Sequence, residues 1–310
     1  MNNILIAGDI HIREKELEEC TLVLKEIAEL IKTHNIDQLI LTGDTFDVVK
    51  PTSREIDVFA NFIKEINISI IVLAAQSHES TTPEESIINH FGILVDKIKV
   101  VKMYTDEHNL LVGHFIVNES TKNYGGTISK TTLKAYKFVV LGHGHSHEIV
   151  KPNICQLGSV RYVDFAESKD IAKYVSVYLN YRSDKEKWGF IPLKTPYAMK
   201  DLIIAKNAQP TLGNKQIEAQ NWQSVIEQLN AKTKLRIIFR DFESYYSNIN
   251  DLQRFKDKFV LFSVKKDFLV EETILTSKVE THSMKDSLKN YLEQNKINEE
   301  IKRILLEEIK

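Results

Sequence analysis

Five short segments of the first 145 residues carry side chains able to bind metal, and each follows an apolar run. Ile4-Leu5-Ile6-Ala7 leads into Gly8-Asp9-Ile10-His11, and Leu39-Ile40-Leu41-Thr42 into Gly43-Asp44. Ile70-Ile71-Val72-Leu73-Ala74 leads towards Ser77-His78-Glu79, Leu110-Leu111-Val112 into Gly113-His114, and Phe138-Val139-Val140-Leu141 into Gly142-His143-Gly144-His145. Carboxylate and imidazole together suit Mn²⁺, Fe²⁺ or Zn²⁺. On an extended strand end, Asp9 and His11 point the same way, because side chains alternate with period two. His143 and His145 repeat that spacing, Asp44 reaches the same space from a neighbouring strand end, and His114 adds an imidazole. These are more ligands than one ion needs. Asp44 is therefore expected to bridge two ions about 3.5–4 Å apart, the separation used for in-line attack at phosphorus.

Taken singly, each residue has a plainer use. A buried histidine is usually a hydrogen-bonded core residue, and an aspartate after a strand usually caps a helix. Their joint occurrence, in order and behind apolar runs, favours the metal reading. His34, His90, His108 and His282 lie in polar or helical contexts without partners and are read as non-ligands. His147 continues the spacing from His145 but is read as solvated or as support behind a ligand. Asp47 either orients a ligand or caps the following helix.

The positioning elements follow from the pattern. Apolar runs of four or five residues bounded by turn signals read as strands buried on both faces. Leu17, Cys20, Leu24, Ile27 and Ile31 form one apolar stripe at helical spacing, and Pro83-Glu84-Glu85 reads as a helix start. Alternating strands and helices imply a layered α/β core, in which the loops after the carboxyl ends of the strands form the site. Past residue 150, Tyr174-Val175-Ser176-Val177-Tyr178-Leu179 and Trp188-Gly189-Phe190-Ile191 read as paired strands. A small α/β unit runs from about residue 200 to 275. Its expected strands are 202–205, 235–239 and 259–264, with a helix near 222–229 and a shorter one near 252–255. Two amphipathic helices end the chain, marked by Met284, Leu288, Tyr291 and Leu292 and then by Ile297, Ile301, Ile304, Leu305 and Ile309. The domains expected are 1–196, 197–275 and 276–310.

The 310 residues are 43% hydrophobic and 27% charged, with a net charge of −2. That balance excludes disordered and fibrous classes, and it excludes a protein that holds nucleic acid by charge alone. No apolar run reaches the roughly 18 residues of a membrane span. The two cysteines, Cys20 and Cys155, form no framework, and no signal-peptide pattern opens the chain. A reducing cytoplasmic setting is the expectation.

The set Gly8-Asp9-x-His11, Gly43-Asp44-x-x-Asp47, Ser77-His78-Glu79, Gly113-His114 and Gly142-His143-x-His145 resembles the calcineurin-like metallophosphoesterase superfamily. The stretch Gly158-Ser159-Val160-Arg161-Tyr162-Val163-Asp164-Phe165-Ala166-Glu167, followed by Lys169, resembles the closing segment of the SbcD/Mre-eleven DNA exonuclease family. The resemblance implies a layered β-sandwich flanked by helices, a small α/β capping domain that contacts DNA, and a C-terminal helix pair. It also implies two Mn²⁺ ions, one held by Asp9, His11, Asp44 and His145 and the other by Asp44, His114, His143 and the residue in the Ser77 slot. His78 would be the catalytic histidine.

The implied activity is DNA exonuclease and endonuclease cleavage in double-strand-break repair or recombination. An SbcC-like coiled-coil ATPase would dock on the terminal helices. The implied homodimer has candidate faces at 54–66 (Ile56, Phe59, Phe62, Ile63) and 86–98 (Ile87, Ile88, Phe91, Leu94), stripes that serve equally as core faces. One departure matters. Gln76-Ser77 stands where the family has Gly-Asn, and a hydroxyl is a shorter, poorer ligand than an amide oxygen, so weaker occupancy of the second ion is expected. The competing readings are a small-molecule metallophosphodiesterase, which needs no capping unit, and a catalytically silenced scaffold subunit.

Overall fold

Fully apolar runs fold as central strands because only a strand walled on both faces can bury every side chain. The computed structural model describes residues 2–74, 86–94, 96–120, 128–195, 197–206, 208–213, 215–217 and 222–267. The first sheet holds four parallel strands, β1 (Asn2–Ala7), β2 (Gln38–Leu41), β3 (Ser69–Leu73) and β4 (Ile98–Val101), in that order. The second contains β5 (Tyr104–Thr105), β6 (Leu110–His114), β7 (Phe138–Gly142), β8 (Glu148–Lys151) and β9 (Ile154–Gln156). Its order is β5-β6-β7-β9-β8, with β6, β7 and β9 parallel. The chain then returns to the first sheet. There β10 (Tyr174–Tyr181) lies antiparallel to β1, and β11 (Lys187–Pro192) lies antiparallel to β10, as the apolar alternation predicts.

Three helices cover one face of the first sheet: α1 (Leu17–Thr33), α2 (Ser53–Glu65) and α3 (Ile87–Leu94). The α1 stripe of Cys20, Leu24, Ile27 and Ile31 packs there with Leu5, Leu39 and Ile70. Helix α2 starts at a reciprocal cap, in which the Thr52 hydroxyl accepts from Glu55 N–H while Glu55 accepts from Thr52 N–H. This satisfies two of the first-turn amides that a helix otherwise leaves open. Phe59, Phe62, Ile63 and Ile88 lie inside this core, so the stripes with two possible uses are core faces at those positions. The other face of the first sheet meets the second sheet through Ile4, Ile6, Ile40, Leu73, Leu110, Val112 and Val140. Each fully buried aliphatic side chain contributes roughly 1.5–3 kcal/mol relative to exposure.

A third sheet comprises β12 (Ala198–Ala205), β13 (Ala208–Leu212), β14 (Lys215–Gln216), β15 (Thr233–Phe239) and β16 (Leu261–Lys266), ordered β14-β13-β12-β15-β16. Helices α4 (Trp222–Gln228) and α5 (Phe242–Leu252) accompany it. The expected short helix near 252–255 is a single turn at Gln253–Phe255, and the longer α5 precedes it. Its apolar residues Phe242, Tyr245, Ile249 and Leu252 do keep helical spacing. The aromatics, serines and asparagines between them are weak helix formers, so composition gives this helix little signal. Strand β16 starts at Leu261, two residues later than expected. Strands β4, β5, β8, β9, β13 and β14 carry too few consecutive apolar residues to stand out.

A buried ionic quartet ties the third sheet to the rest. Lys234 Nζ lies 2.6 Å from Glu19 and 3.0 Å from Glu16, while Arg161 Nη1 lies 2.6 Å from Glu16 and 3.3 Å from Glu19. Residues up to Lys266 thus form one compact unit. The expected C-terminal helices, the helix start at 83–85, and Gln76, Ser77, His78 and Glu79 lie outside the described residues. Among the described residues no helix is long and apolar enough to cross a membrane.

Candidate metal centre

The carboxyl ends of β1, β2, β6 and β7 converge, and six of the eight expected site residues meet there. Donor atoms of Asp9, His11 and His145 lie within 4.8 Å of one another, as do those of Asp44, His114 and His143. One carboxylate oxygen stands between the groups: Asp44 Oδ2 is 3.7 Å from His11 Nε2 and 3.4 Å from His114 Nε2.

The route to this convergence differs from strand alternation. β1 ends at Ala7, and His11 sits at φ 49°; Asp44 and His143 sit at φ 41° and 77°. Left-handed backbone is uncommon for residues other than glycine and gathers at functional sites. Asp9 and His11 therefore meet across a tight loop. His143 and His145, which strand alternation alone sets side by side, fall in different groups through the turn at His143, the division that the resemblance implies. Backbone bonds zip the loops together: His11 N–H donates to Asp44 O (2.9 Å), Ile12 N–H to Thr45 O (2.9 Å) and Val160 N–H to Asp9 O (3.2 Å). Gly8 makes the last approach possible, because a Cβ there would run into the Gly158 carbonyl oxygen. Arg161, fully buried, donates to the carbonyls of Ile10 (2.7 Å) and His11 and holds the His11 turn in place.

Each buried imidazole has its Nδ1 engaged and its Nε2 turned inward. His114 Nδ1 faces Thr42 O at 2.9 Å. A carbonyl can only accept, so this nitrogen carries a proton, and Nε2 is the nitrogen turned to Asp44. His11 Nδ1 is 3.0 Å from Asp47 Oδ1, an oxygen that also accepts from Arg13 Nη2 at 2.8 Å. Asp47 therefore orients a site histidine, and the cap of α2 is Thr52 instead. Burial works against the charge on Asp47, but His11 and Arg13 hold its carboxyl below the usual range. His145 Nδ1 lies 3.1 Å from Asp164 Oδ2 and 3.4 Å from Glu167 Oε1. Asp9 is held at both oxygens, accepting from Thr42 Oγ1 (2.9 Å) and from His143 N–H (2.7 Å).

The charge balance favours cations. Burial alone would lower His114, yet the carboxylates of Asp9 and Asp44 push it up to about 9. His145 rises to about 10 against the same burial, through Asp164 and Glu167. His143 is lowered, by burial and by its neighbour His114. Buried donors of this kind, around a cleft that Asp44, Ile116, His143, His145, Asp164 and Glu167 line, can hold divalent metal ions.

Asp164, Glu167, Thr42 and Lys173 contact the site residues, and the metal-ligand pattern did not single them out. The available signal was the spacing Asp164-x-x-Glu167, a capping box, which does close the 3-10 turn Phe165–Lys169. His147 is half-buried. Its ring packs 4.6 Å from Tyr174 and 4.8 Å from Phe190, and its Nδ1 meets Leu157 O at 3.1 Å. Cys20 and Cys155 are free and buried.

Fold and site together define a mixed α/β protein with paired histidine–carboxylate clusters suited to metal. No family model matches the chain, and no curated protein matches it. Among solved structures the chain is similar to a nuclease named MPE from Pseudomonas putida, at 16% identity and a TM-score of 0.30. The match covers 61% of this chain and 87% of that one.

Proposed function

We propose that this protein is a divalent-metal-dependent phosphodiesterase that cleaves DNA, of the calcineurin-like metallophosphoesterase type and similar to SbcD/Mre-eleven exonuclease subunits. The observation that carries the reading is the facing pair of Nε2 atoms on His11 and His145, 3.1 Å apart. Each ring gives its Nδ1–H to a carboxylate. At that distance the two nitrogens need positive charge between them, a proton or a metal ion, and the carboxylates of Asp9 and Asp44 beside them favour a cation. The buried His114 Nε2 and Asp44 Oδ2, 3.4 Å apart, likewise need positive charge between them.

Asp9, His11, Asp44 and His145 would hold one ion, and Asp44, His114, His143 and the residue at 77 the other, with Mn²⁺ suiting this mix of donors. When bound, such ions polarise phosphoryl oxygens and acidify water. The chain's own residues do the rest. Asp44 spans both groups, Asp47 and Asp164 keep the lone pairs of His11 and His145 turned inward, and His78 protonates the leaving oxygen or steadies the phosphate.

The finer parts of the reading rest on the motif resemblance. They are a capping unit at 197–275 that contacts DNA, a homodimer, and an SbcC-like ATPase docked on the helices at 276–310. Repair or recombination in the cytoplasm is the implied setting. A net charge of −2 fits an enzyme that gains its hold on DNA through such assembly.

The test is cleavage of end-labelled duplex and single-stranded DNA with and without Mn²⁺, beside His78→Ala. Mn²⁺-dependent cleavage lost in the variant is the expected result. Cleavage of a small phosphodiester but not DNA would move the assignment to a small-molecule enzyme. No hydrolysis of either substrate, even with the ATPase present, would leave a scaffold.

A further inference from the structure

The carboxylates behind His145 stand on a segment that the third sheet grips. Glu167 Oε1 accepts from the amides of Val163 (3.1 Å) and Asp164 (2.8 Å), and its Oε2 accepts from Ser159 Oγ (2.9 Å) and from Lys173 Nζ. The same Lys173 ammonium, almost wholly buried, donates to the carbonyl of His145 (3.0 Å) and to Asp170 (3.0 Å). His145 is thus fixed at its ring by Asp164 and Glu167 and at its backbone by Lys173.

The outer side of this segment meets β12 and β15. Asp201 and Arg236 are register partners in that parallel pair and form a two-pronged ion pair, Nε to Oδ1 and Nη2 to Oδ2, both 2.8 Å. Asp201 Oδ2 also accepts from Ser168 Oγ at 2.7 Å. Arg236 covers the Phe165 ring at 4.7 Å and reaches the Phe165 carbonyl at 3.4 Å. Two residues earlier on the same face of β15, by the period-two rule, Lys234 donates to the Tyr162 carbonyl at 2.6 Å. The sheet therefore holds residues 162, 165 and 168, with Asp164 and Glu167 between them.

We propose that Arg236 and Asp201 are positioning residues for the His145 imidazole, so that the third sheet sets how firmly the Asp9, His11 and His145 group takes a divalent cation. Neither residue touches the site. Their effect passes through the turn Phe165–Lys169 to the two carboxylates. The link to cation affinity rests on the function proposed above, whereas the effect on the imidazole does not.

The experiment follows the ring N–H protons of the full, metal-free, ¹⁵N-labelled chain by NMR, with Mn²⁺ affinity by calorimetry alongside. In Arg236→Ala, the Nδ1–H of His145 is expected to exchange with water about tenfold faster, and Mn²⁺ affinity to fall about tenfold, the lower end of what losing a partner behind a ligand costs. The Nδ1–H of His11, held by Asp47, is expected to be unchanged. Lys232→Ala, which removes contacts to Glu18 and the Tyr197 ring but none to residues 162–168, is the control and should move neither proton. If Arg236→Ala fails to fold, Asp201→Asn preserves the shape of the clamp while removing its charge, and the same pattern is expected. Unchanged His145 exchange, or equal acceleration at His11 and His145, overturns the proposal. Faster His145 exchange with unaltered affinity in a chain that binds Mn²⁺ overturns the coupling to the cation. A wild-type chain that binds no divalent cation fails the proposed function instead, and the proton exchange still decides the positioning role.

Discussion

The two histidine–carboxylate groups differ in what stands behind their rings. In the Asp9, His11 and His145 group both imidazoles lean on carboxylates, Asp47 for one and Asp164 with Glu167 for the other. In the Asp44, His114 and His143 group, His114 leans on the neutral carbonyl of Thr42, and His143 is exposed. A carboxylate behind an imidazole raises its basicity and fixes its orientation. A carbonyl fixes orientation with less electrostatic gain. The first group thus has charged support behind both rings, whereas on the assignment proposed above the second would take Ser77 as a further ligand. On the proposed function, calorimetry is expected to show two Mn²⁺ binding steps of unequal affinity.

The comparison breaks most completely at the residue the groups share. Asp44→Asn is expected to lower Mn²⁺-dependent cleavage by more than about a hundredfold, beyond what loss of an outer partner costs, and calorimetry should show both binding steps weakened. Survival of the tight step would mean that Asp44 serves the second group alone. Next in size is a pair of single substitutions. His11→Gln should remove the tight step, and His143→Gln should leave it and remove the weak one; the reverse pattern would invert the ranking. Asp47→Asn keeps the shape but not the charge behind His11, so the tight step alone should weaken by about 10–100-fold. Smallest is Ser77→Asn, expected to strengthen only the weak step, by up to about tenfold or 1.4 kcal/mol. No gain there would show that serine already serves as well as an amide.

Much of this was legible in the chain because burial and chemistry both leave marks at short range. The apolar runs at Ile4, Leu39, Leu110 and Phe138 declare strands, and the polar residues after them declare a site at the strand ends. What could not be read is the path of the loops. Nothing in the types of His11, Asp44 or His143 announces a left-handed backbone, and a period-two rule applied past the end of a strand pairs His143 with the wrong neighbour. The supports were hidden for a different reason. Asp164, Glu167 and Lys173 meet the site through contacts with His145; the spacing Asp164-x-x-Glu167 marks a turn but not the histidine that the turn supports. Asp47 was half visible, since a carboxylate in the loop between a strand and a helix suits either a cap or a histidine, and only the position of Thr52 decides between them.

Strand β1 lies between β2 and β10, and the loop that follows it is closed by Val160 and Arg161. The chain must therefore be made and folded nearly to Tyr181 before the loop carrying Asp9 and His11 has all its neighbours. Closing contacts over so long a stretch costs entropy before any contact repays it, which makes the site a late product of folding and not its nucleus. A bound cation should then slow unfolding and leave the folding rate as it was, a difference that stopped-flow traces with and without Mn²⁺ would register. Faster folding with the ion would mean that these loops meet early. Assembled last, the centre is also the first thing lost when β10 lets go of β1, so metal release would report the earliest loosening of the whole protein.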